Sequence, residues 1–308
     1  MGVDEFLDLL GEEVEDPDEE TFLLFSQPIP SQNLGFLDPK ATAVEVSIAG
    51  KEYAIQQSPG ILESSRAGGT TGAVLWKITP LFAEWLSSPS NILFQTSVLT
   101  PTSAVLELGC GTSGLIALVA APKISRYTLT DQAYVSKVLT ANLSANSSTT
   151  AKSKTSSSGT KKSKTTPKEG EKGEGAFFYG ADKNITFAPL DWEKDLPTPS
   201  LTSHPGTKSF DVVIACDCVY NEALVKPLVT TCAEACKLRL LDGNGDDGGR
   251  PPTVCIVAQQ LRDPDVFGTW MEAFWGRFRT WRVGGELARE MGEGSGFVVH
   301  VGVLRGGP

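Results

Sequence analysis

Residues 104–115 read Ala-Val-Leu-Glu-Leu-Gly-Cys-Gly-Thr-Ser-Gly-Leu. An apolar run (Val105, Leu106, Leu108) meets three glycines, Gly109, Gly111 and Gly114, and a helical pattern follows. This is the layout of a strand, a sharp turn and a helix, with glycines where the chain turns tightly and a ligand approaches the backbone. A second apolar run ends at Asp131. Its spacing from Gly111 places a carboxylate at the tip of the next strand, where it can hold two ribose hydroxyls. The segment predicts a nucleotide-cofactor loop in an α/β sheet.

The spacing Gly109-x-Gly111-x-x-Gly114 alone fits a dinucleotide loop as well as a methyltransferase loop. Glu107 separates the two. A pyrophosphate at the helix N-terminus would be repelled by a carboxylate so close. S-adenosylmethionine carries an ammonium and a sulfonium and no phosphate, so Glu107 suits it. A turn-capping glutamate is the plainer alternative.

Working outward, Val44–Ile48 and Glu52–Ile55 alternate around Ala49-Gly50-Lys51 and predict a hairpin. Ala73–Leu86 reads as an amphipathic helical region, with Trp76, Leu81, Phe82 and Trp85 on one face and a kink or break at Pro80. Strands are expected at 104–108, Tyr127–Thr130, Ile185–Leu190, Asp211–Ala215 and Thr253–Ala258, with helices between them. Val212-Val213-Ile214-Ala215 is apolar on both faces, as in a central parallel strand. Thr280–Val283 and Phe297–Leu304 are too close in sequence for a crossover helix and should pair antiparallel. The expected fold is α/β: a Rossmann-like, seven-stranded, mostly parallel sheet with an antiparallel terminal strand pair and an N-terminal hairpin.

The 308 residues are 40% hydrophobic and 21% charged, ordinary for a globular chain with a sizeable core. No apolar run approaches the roughly 20 residues of a membrane span, and the N-terminus resembles neither a signal nor a transit peptide. The net charge of −10 is concentrated: residues 1–20 hold ten acidic residues and no Lys or Arg. Removing those ten from the 37 acidic residues leaves 27, equal to the Lys and Arg count. The remainder gives no electrostatic case for sequence-specific nucleic-acid binding. Residues 1–40 are expected to form a solvated, partly helical, poorly ordered acidic arm, with a docking site for a basic partner as the alternative, and 41–308 the catalytic domain. Asn146–Gly175 is nearly all Ser, Thr, Lys, Gly and Glu with seven lysines, too polar to bury a core, and predicts a disordered surface insertion. Its lysines could also serve as a nuclear signal or attract ribosomal RNA.

The cysteines form no CxxC pair, and Cys232 and Cys236 share a helix face with no second ligand pair, so no metal site is expected. The Gly/Asp-rich stretch Asp242–Pro252 lacks the glycine and glutamate of a calcium loop. Reduced thiols in an intracellular protein are the simple reading, with the cytoplasm expected and the nucleus the alternative that the lysine-rich insertion leaves open.

Three segments together resemble the lysine methyltransferase branch of the seven-β-strand methyltransferases, methyltransferase family 16: Thr71-Gly72-x-x-x-Trp76, Glu107-Leu-Gly109-Cys110-Gly111, and Asp217-Cys-Val-Tyr220. The resemblance covers roughly residues 40–305. It implies S-adenosyl-L-methionine as cofactor, a monomer, and a protein substrate, specifically a large-subunit ribosomal protein. It also implies roles. Trp76 would lie over the sulfonium end of the cofactor, with Glu107, Gly109, Cys110 and Gly111 around it and Asp131 on the ribose. Asp191 and Trp192 would flank adenine, and Cys216 stands where the family usually has alanine. Asp217 and Tyr220 would handle the substrate lysine, Asp217 accepting its hydrogen bonds and Tyr220 walling the channel. Other readings stay open: Trp76 as a core residue, Asp217 as a helix cap, a small-molecule or nucleic-acid methyltransferase, a NAD-dependent oxidoreductase, or a non-catalytic module.

Overall fold

The computed structural model describes residues 2–30, 33–64, 70–147, 177–178, 184–242 and 250–306. Two helices, α1 (Val3–Leu10) and α2 (Pro17–Phe25), precede a hairpin of β1 (Ala43–Ile48) and β2 (Lys51–Gln56). A short α3 (Pro59–Leu62), α4 (Ile78–Ser87) and α5 (Ile92–Gln95) lead to the first central strand, β3 (Ala104–Leu108). Then follow α6 (Leu115–Ala120), β4 (Arg126–Asp131), α7 (Ser136–Asn146), β5 (Phe177–Phe178), β6 (Ile185–Pro189), β7 (Val212–Cys216), α8 (Glu222–Lys237), β8 (Val254–Gln260), α9 (Pro264–Trp275), β9 (Phe278–Arg282) and β10 (Phe297–Leu304).

The main sheet runs β5-β6-β4-β3-β7-β8-β10-β9. Strands β6, β4, β3, β7 and β8 are parallel; β10 lies antiparallel between β8 and β9. This is the seven-stranded arrangement expected, with the two-residue β5 added antiparallel at one edge. Every residue of β3, β7 and β8 is buried, because helices cover both faces. The strand period of two divides the core. Val105, Val212, Ile214 and Ile256 face α4, α6 and α7, while Leu106, Leu108, Val213 and Val257 face α8 and α9. The chain runs outward from β3 through β4 to β6, then returns to β7 on the other side of β3. That reversal opens a crevice at the carboxyl ends of β3 and β7, the place where open α/β sheets bind ligands.

Pro80 does not break a helix. It is the third residue of α4, where backbone N–H groups have no helical acceptor. Trp76 therefore stands before α4, in a two-residue bridge to Phe36, not on its apolar face.

The acidic arm is folded onto the domain, contrary to its expected solvation. Phe6 and Leu24 join the two core layers. Glu13 bridges Trp281, and Val14 N–H donates to Thr280 at 2.7 Å, so the chain between α1 and α2 covers the exposed edge of β9. Asp16 caps α2 ahead of Pro17. Glu20 is buried, and its carboxylate accepts from His300 Nε2 at 2.8 Å, with Arg282 at 3.4 Å. Charge counting missed this because the arm's partners, Arg279, Arg282 and His300, lie at the other end of the chain.

Asn146, the first residue of the expected insertion, is the last residue of α7. Asn142 and Asn146, one turn apart on α7, pair with the backbone of β2: Asn142 with Gln56 at 2.8 and 2.9 Å, Asn146 with Ala54 at 2.9 Å twice. They replace a neighbouring strand. The rest of the expected insertion, 148–175, lies outside the described residues.

Candidate active site

The cleft, open to solvent at its mouth and spanning about 870 Å³ with that opening included, is lined by residues from the carboxyl ends of β3, β4, β6 and β7 and from 71–79. At its floor the chain leaves β3 and turns at Gly109, whose φ is +67°. A side chain there would be strained, and its Cβ would stand 2.7 Å from Cys218 Sγ and 3.0 Å from the Trp192 ring. Gly72 lies over the next turn, its carbonyl accepting from Thr112 N–H at 2.8 Å. The loop thus leaves bare backbone facing the cavity.

Two carboxylates frame it. Asp131, at the end of β4, accepts from the backbone N–H of Gly111 at 2.8 Å and of Gln132 at 2.7 Å. Burial pushes its carboxyl up to about 6, against the pull of those two hydrogen bonds. Glu107, inside β3, accepts from the hydroxyl of Tyr127 at 2.7 Å. Burial pushes Glu107 up to about 7; the tyrosine opposes this and the nearby Asp131 adds to it. Two acids with raised pKa values in one cleft are poised to be re-ionised by a cationic ligand.

Trp192 lines the cleft beside Gly109, and its Nε1 is buried with no partner. Thr112 Oγ1, on the same wall, is likewise unpartnered. Unpaired buried groups of this kind are costly unless a ligand satisfies them. The bare glycine loop, the two acids and these two orphans fit S-adenosylmethionine, which offers an ammonium, a sulfonium, ribose hydroxyls and adenine nitrogens. Asp191, at the rim, is bonded to Lys194 at 2.6 Å, which holds its carboxyl below the usual range. Cys110 and Cys216 also line the cleft; burial raises both thiols well above their ordinary value, so they are packing groups and not nucleophiles.

One wall of the cleft is aromatic. The Trp76 and Tyr220 rings stack with centroids 6.2 Å apart, and Phe36 lies 4.4 Å from Trp76. Trp76 Nε1 donates to the Thr71 carbonyl at 3.2 Å, and Thr71 Oγ1 bonds the Tyr220 hydroxyl at 3.1 Å. The Thr71–Trp76 and Asp217–Tyr220 segments, far apart in sequence, therefore form one wall.

Asp217 follows β7 with φ +58°, a strained conformation for a residue with a side chain. It does not cap α8; Asn221 does, accepting from Ala223 N–H at 3.0 Å. Nor is its carboxylate free. Arg262 Nη1 and Nη2 hold its two oxygens at 2.7 and 2.6 Å. Sequence reading missed Arg262, Phe36 and Tyr127. Arg262 had a signal, a charged residue just past the end of a buried parallel strand. Phe36 had none, being a lone aromatic in a loop.

A family described as lysine methyltransferase matches residues 56–165 and 177–240. The chain is 28% identical over 236 residues to ribosomal lysine N-methyltransferase 5 of Zygosaccharomyces rouxii, covering 71% of this chain and 69% of that one. It is 31% identical over 238 residues to the protein of the same name in Saccharomyces cerevisiae strain YJM789, covering 62% and 64%. A third relative, named diaminohydroxyphosphoribosylamino-pyrimidine deaminase in Schizosaccharomyces pombe, is 28% identical over 260 residues; the match takes in 84% of this chain but only 51% of that protein. The family match spans the glycine loop and the Asp217–Tyr220 turn together, over more than half of the sequence. On that ground the chain belongs to the lysine methyltransferase family, whose members draw the methyl group from S-adenosylmethionine.

Proposed function

We propose that the protein methylates lysine side chains of a large-subunit ribosomal protein. The observation that carries this reading is the aromatic wall of Trp76 and Tyr220, which lines the same cleft as Asp217. The names of the relatives supply the substrate class.

A lysine ammonium has no lone pair, and presenting it as neutral amine at pH 7 costs about 4–5 kcal/mol from its reference pKa of about 10.4. Phe36, Trp76 and Tyr220 exclude water from the side chain, which favours the neutral form. Asp217 accepts a hydrogen bond from the amine and aims its lone pair into the cleft. Glu107 and Asp131 hold the cofactor by charge and hydroxyl contacts, while Asp191 and Trp192 flank its adenine. When bound, S-adenosylmethionine supplies an electrophilic methyl carbon on sulfur. The lone pair of the neutral lysine nitrogen would form the bond to that carbon as the carbon–sulfur bond breaks and S-adenosylhomocysteine leaves, the proton shed in forming the neutral amine passing to solvent; no nucleophile of the protein is needed, and positioning is the main contribution. The test is to incubate the protein with tritiated S-adenosylmethionine and a lysate lacking the enzyme, then identify the labelled band. Label on a large-subunit ribosomal protein is expected; label confined to RNA or small molecules would overturn the reading.

A further inference from the structure

We propose that Arg262 is a positioning residue that holds Asp217 as a hydrogen-bond acceptor while cancelling its charge, so that the substrate amine is bound neutral. The proposal rests on the lysine-methylation reading of the cleft. It goes beyond the family match, which ends at residue 240.

The guanidinium is fixed on every side. Besides its two bonds to Asp217, Nη2 donates to Gln260 Oε1 at 3.1 Å and Nε to the Leu34 carbonyl at 3.2 Å. Its carbon lies 4.9 Å from the centre of the Trp76 ring. The 34–37 segment reaches it through Gly35, at φ +90°, where a Cβ would collide with Gln260 Oε1 and Arg262 Nη2. Leu37 and Lys77 N–H groups then zip this segment to Leu75 and Gly35. Arg262 thus ties the N-terminal segment, the end of β8, Asp217 and the aromatic wall into one unit. It does not itself line the cleft, whereas Asp217 and Trp76 do.

Charge explains why this matters. The ionisable groups lining the cleft are Glu107, Asp131, Asp191, Glu193, Asp217, the tyrosines 134 and 220, and three cysteines; no Lys, Arg or His lines it among the described residues. Such a cleft would hold lysine as ammonium, which cannot attack a methyl group. A bare Asp217 carboxylate would strengthen that hold. An arginine remains protonated at any working pH. An amine bonded to Asp217 would lie within the about 4–6 Å over which a like charge favours its neutral form. Oδ1 also accepts from Gln260 N–H at 3.3 Å, whereas Oδ2 of Asp217 accepts from Arg262 Nη2 and keeps a lone pair for the substrate N–H while the negative charge is balanced.

The test is the pH dependence of methyl transfer to salt-washed ribosomes from a strain lacking the enzyme, with S-adenosylhomocysteine affinity measured in parallel. Arg262→Met should leave that affinity within about threefold but move the acidic limb of kcat to higher pH by about one unit, a loss of about tenfold below it. Arg262→Lys, which keeps the charge, should hold the limb in place at a lower rate. Asp217→Asn combined with Arg262→Met should return the limb toward the wild-type position. If Arg262→Met and Arg262→Lys lose the same activity at every pH, Arg262 only supports the fold and the proposal fails while methyl transfer stands. If the wild-type protein transfers nothing to the ribosomes, the substrate reading fails and takes this proposal with it.

Discussion

Tyr127 on β4 stands diagonally across from Glu107 on β3, two residues along from its register partner Val105, and the tyrosine hydroxyl donates to the glutamate at 2.7 Å. This bond limits how far burial raises Glu107, which stands at about 7, with Asp131 at about 6. A cationic cofactor needs both ionised. S-adenosylmethionine affinity should therefore fall as pH drops from 8 through 7 and 6. Binding near pH 6.5 should release protons, seen as a buffer-dependent calorimetric enthalpy. Both acids are raised above their unfolded values, so their contribution to apo stability is present at low pH and is lost as pH rises to about 7. Tyr127→Phe should raise Glu107 further and weaken binding at neutral pH. A pH-independent affinity between 6 and 8 would contradict this.

Asp131 both accepts from Gly111 N–H and faces the cleft. Asp131→Ala removes that loop anchor and the proposed ribose contacts, charge-assisted bonds of roughly 1.5–3 kcal/mol each. Calorimetry with S-adenosylhomocysteine should show a loss of about 100-fold or more. The cofactor preference follows from the same residues: S-adenosylhomocysteine should bind and NAD should not.

The Glu20–His300 pair fastens the acidic arm. Burial alone would raise the Glu20 carboxyl, but the hydrogen bond from His300, with Arg282 nearby, brings it below its ordinary 4.5. Its contribution is present above pH 4.5 and lost as pH falls through the lowered value. Glu20→Ala strands a buried histidine and should cost about 3 kcal/mol. The expected drop in Tm is at least about 6 °C, with the rate at 25 °C retained. An unchanged Tm would mean that the arm is only loosely attached.

Asn146 and the residues after it should behave oppositely. Asn146→Ala breaks two part-buried bonds to Ala54 and should cost about 1–3 kcal/mol. Replacing 148–176 by a short Gly/Ser link should shift Tm by less than about 5 °C, because the composition offers no core. Thermal unfolding of both variants checks the boundary.

What was legible in the sequence was what repeats or what geometry forces. Strands β3, β7 and β8 announce themselves as runs apolar on both faces, and the glycines beside Glu107 mark the loop. The closeness of β9 to β10 compels an antiparallel pair. Pairings between distant residues left no local trace. Arg262 meets Asp217 only because β8 lies beside β7, and Glu20 meets His300 only because α2 folds back on the last strand. The segment before β1 read as solvent-facing for the same reason: its acids looked unpartnered until the fold brought Arg279 and His300 to them. Pro80 misled because a proline forbids helix only beyond the first turn.

In the proposed site Asp217 acts on the incoming lysine and not on the cofactor. The direct measurement pairs S-adenosylhomocysteine calorimetry with mass spectrometry of ribosomal proteins after incubation with S-adenosylmethionine, for wild type and Asp217→Asn. Wild type should place methyl-lysine on a large-subunit ribosomal protein. Asp217→Asn should keep its cofactor affinity but lose about 100-fold in rate, roughly 2.7 kcal/mol of transition-state stabilisation. Full activity of Asp217→Asn, or methylation at residues other than lysine, would contradict it.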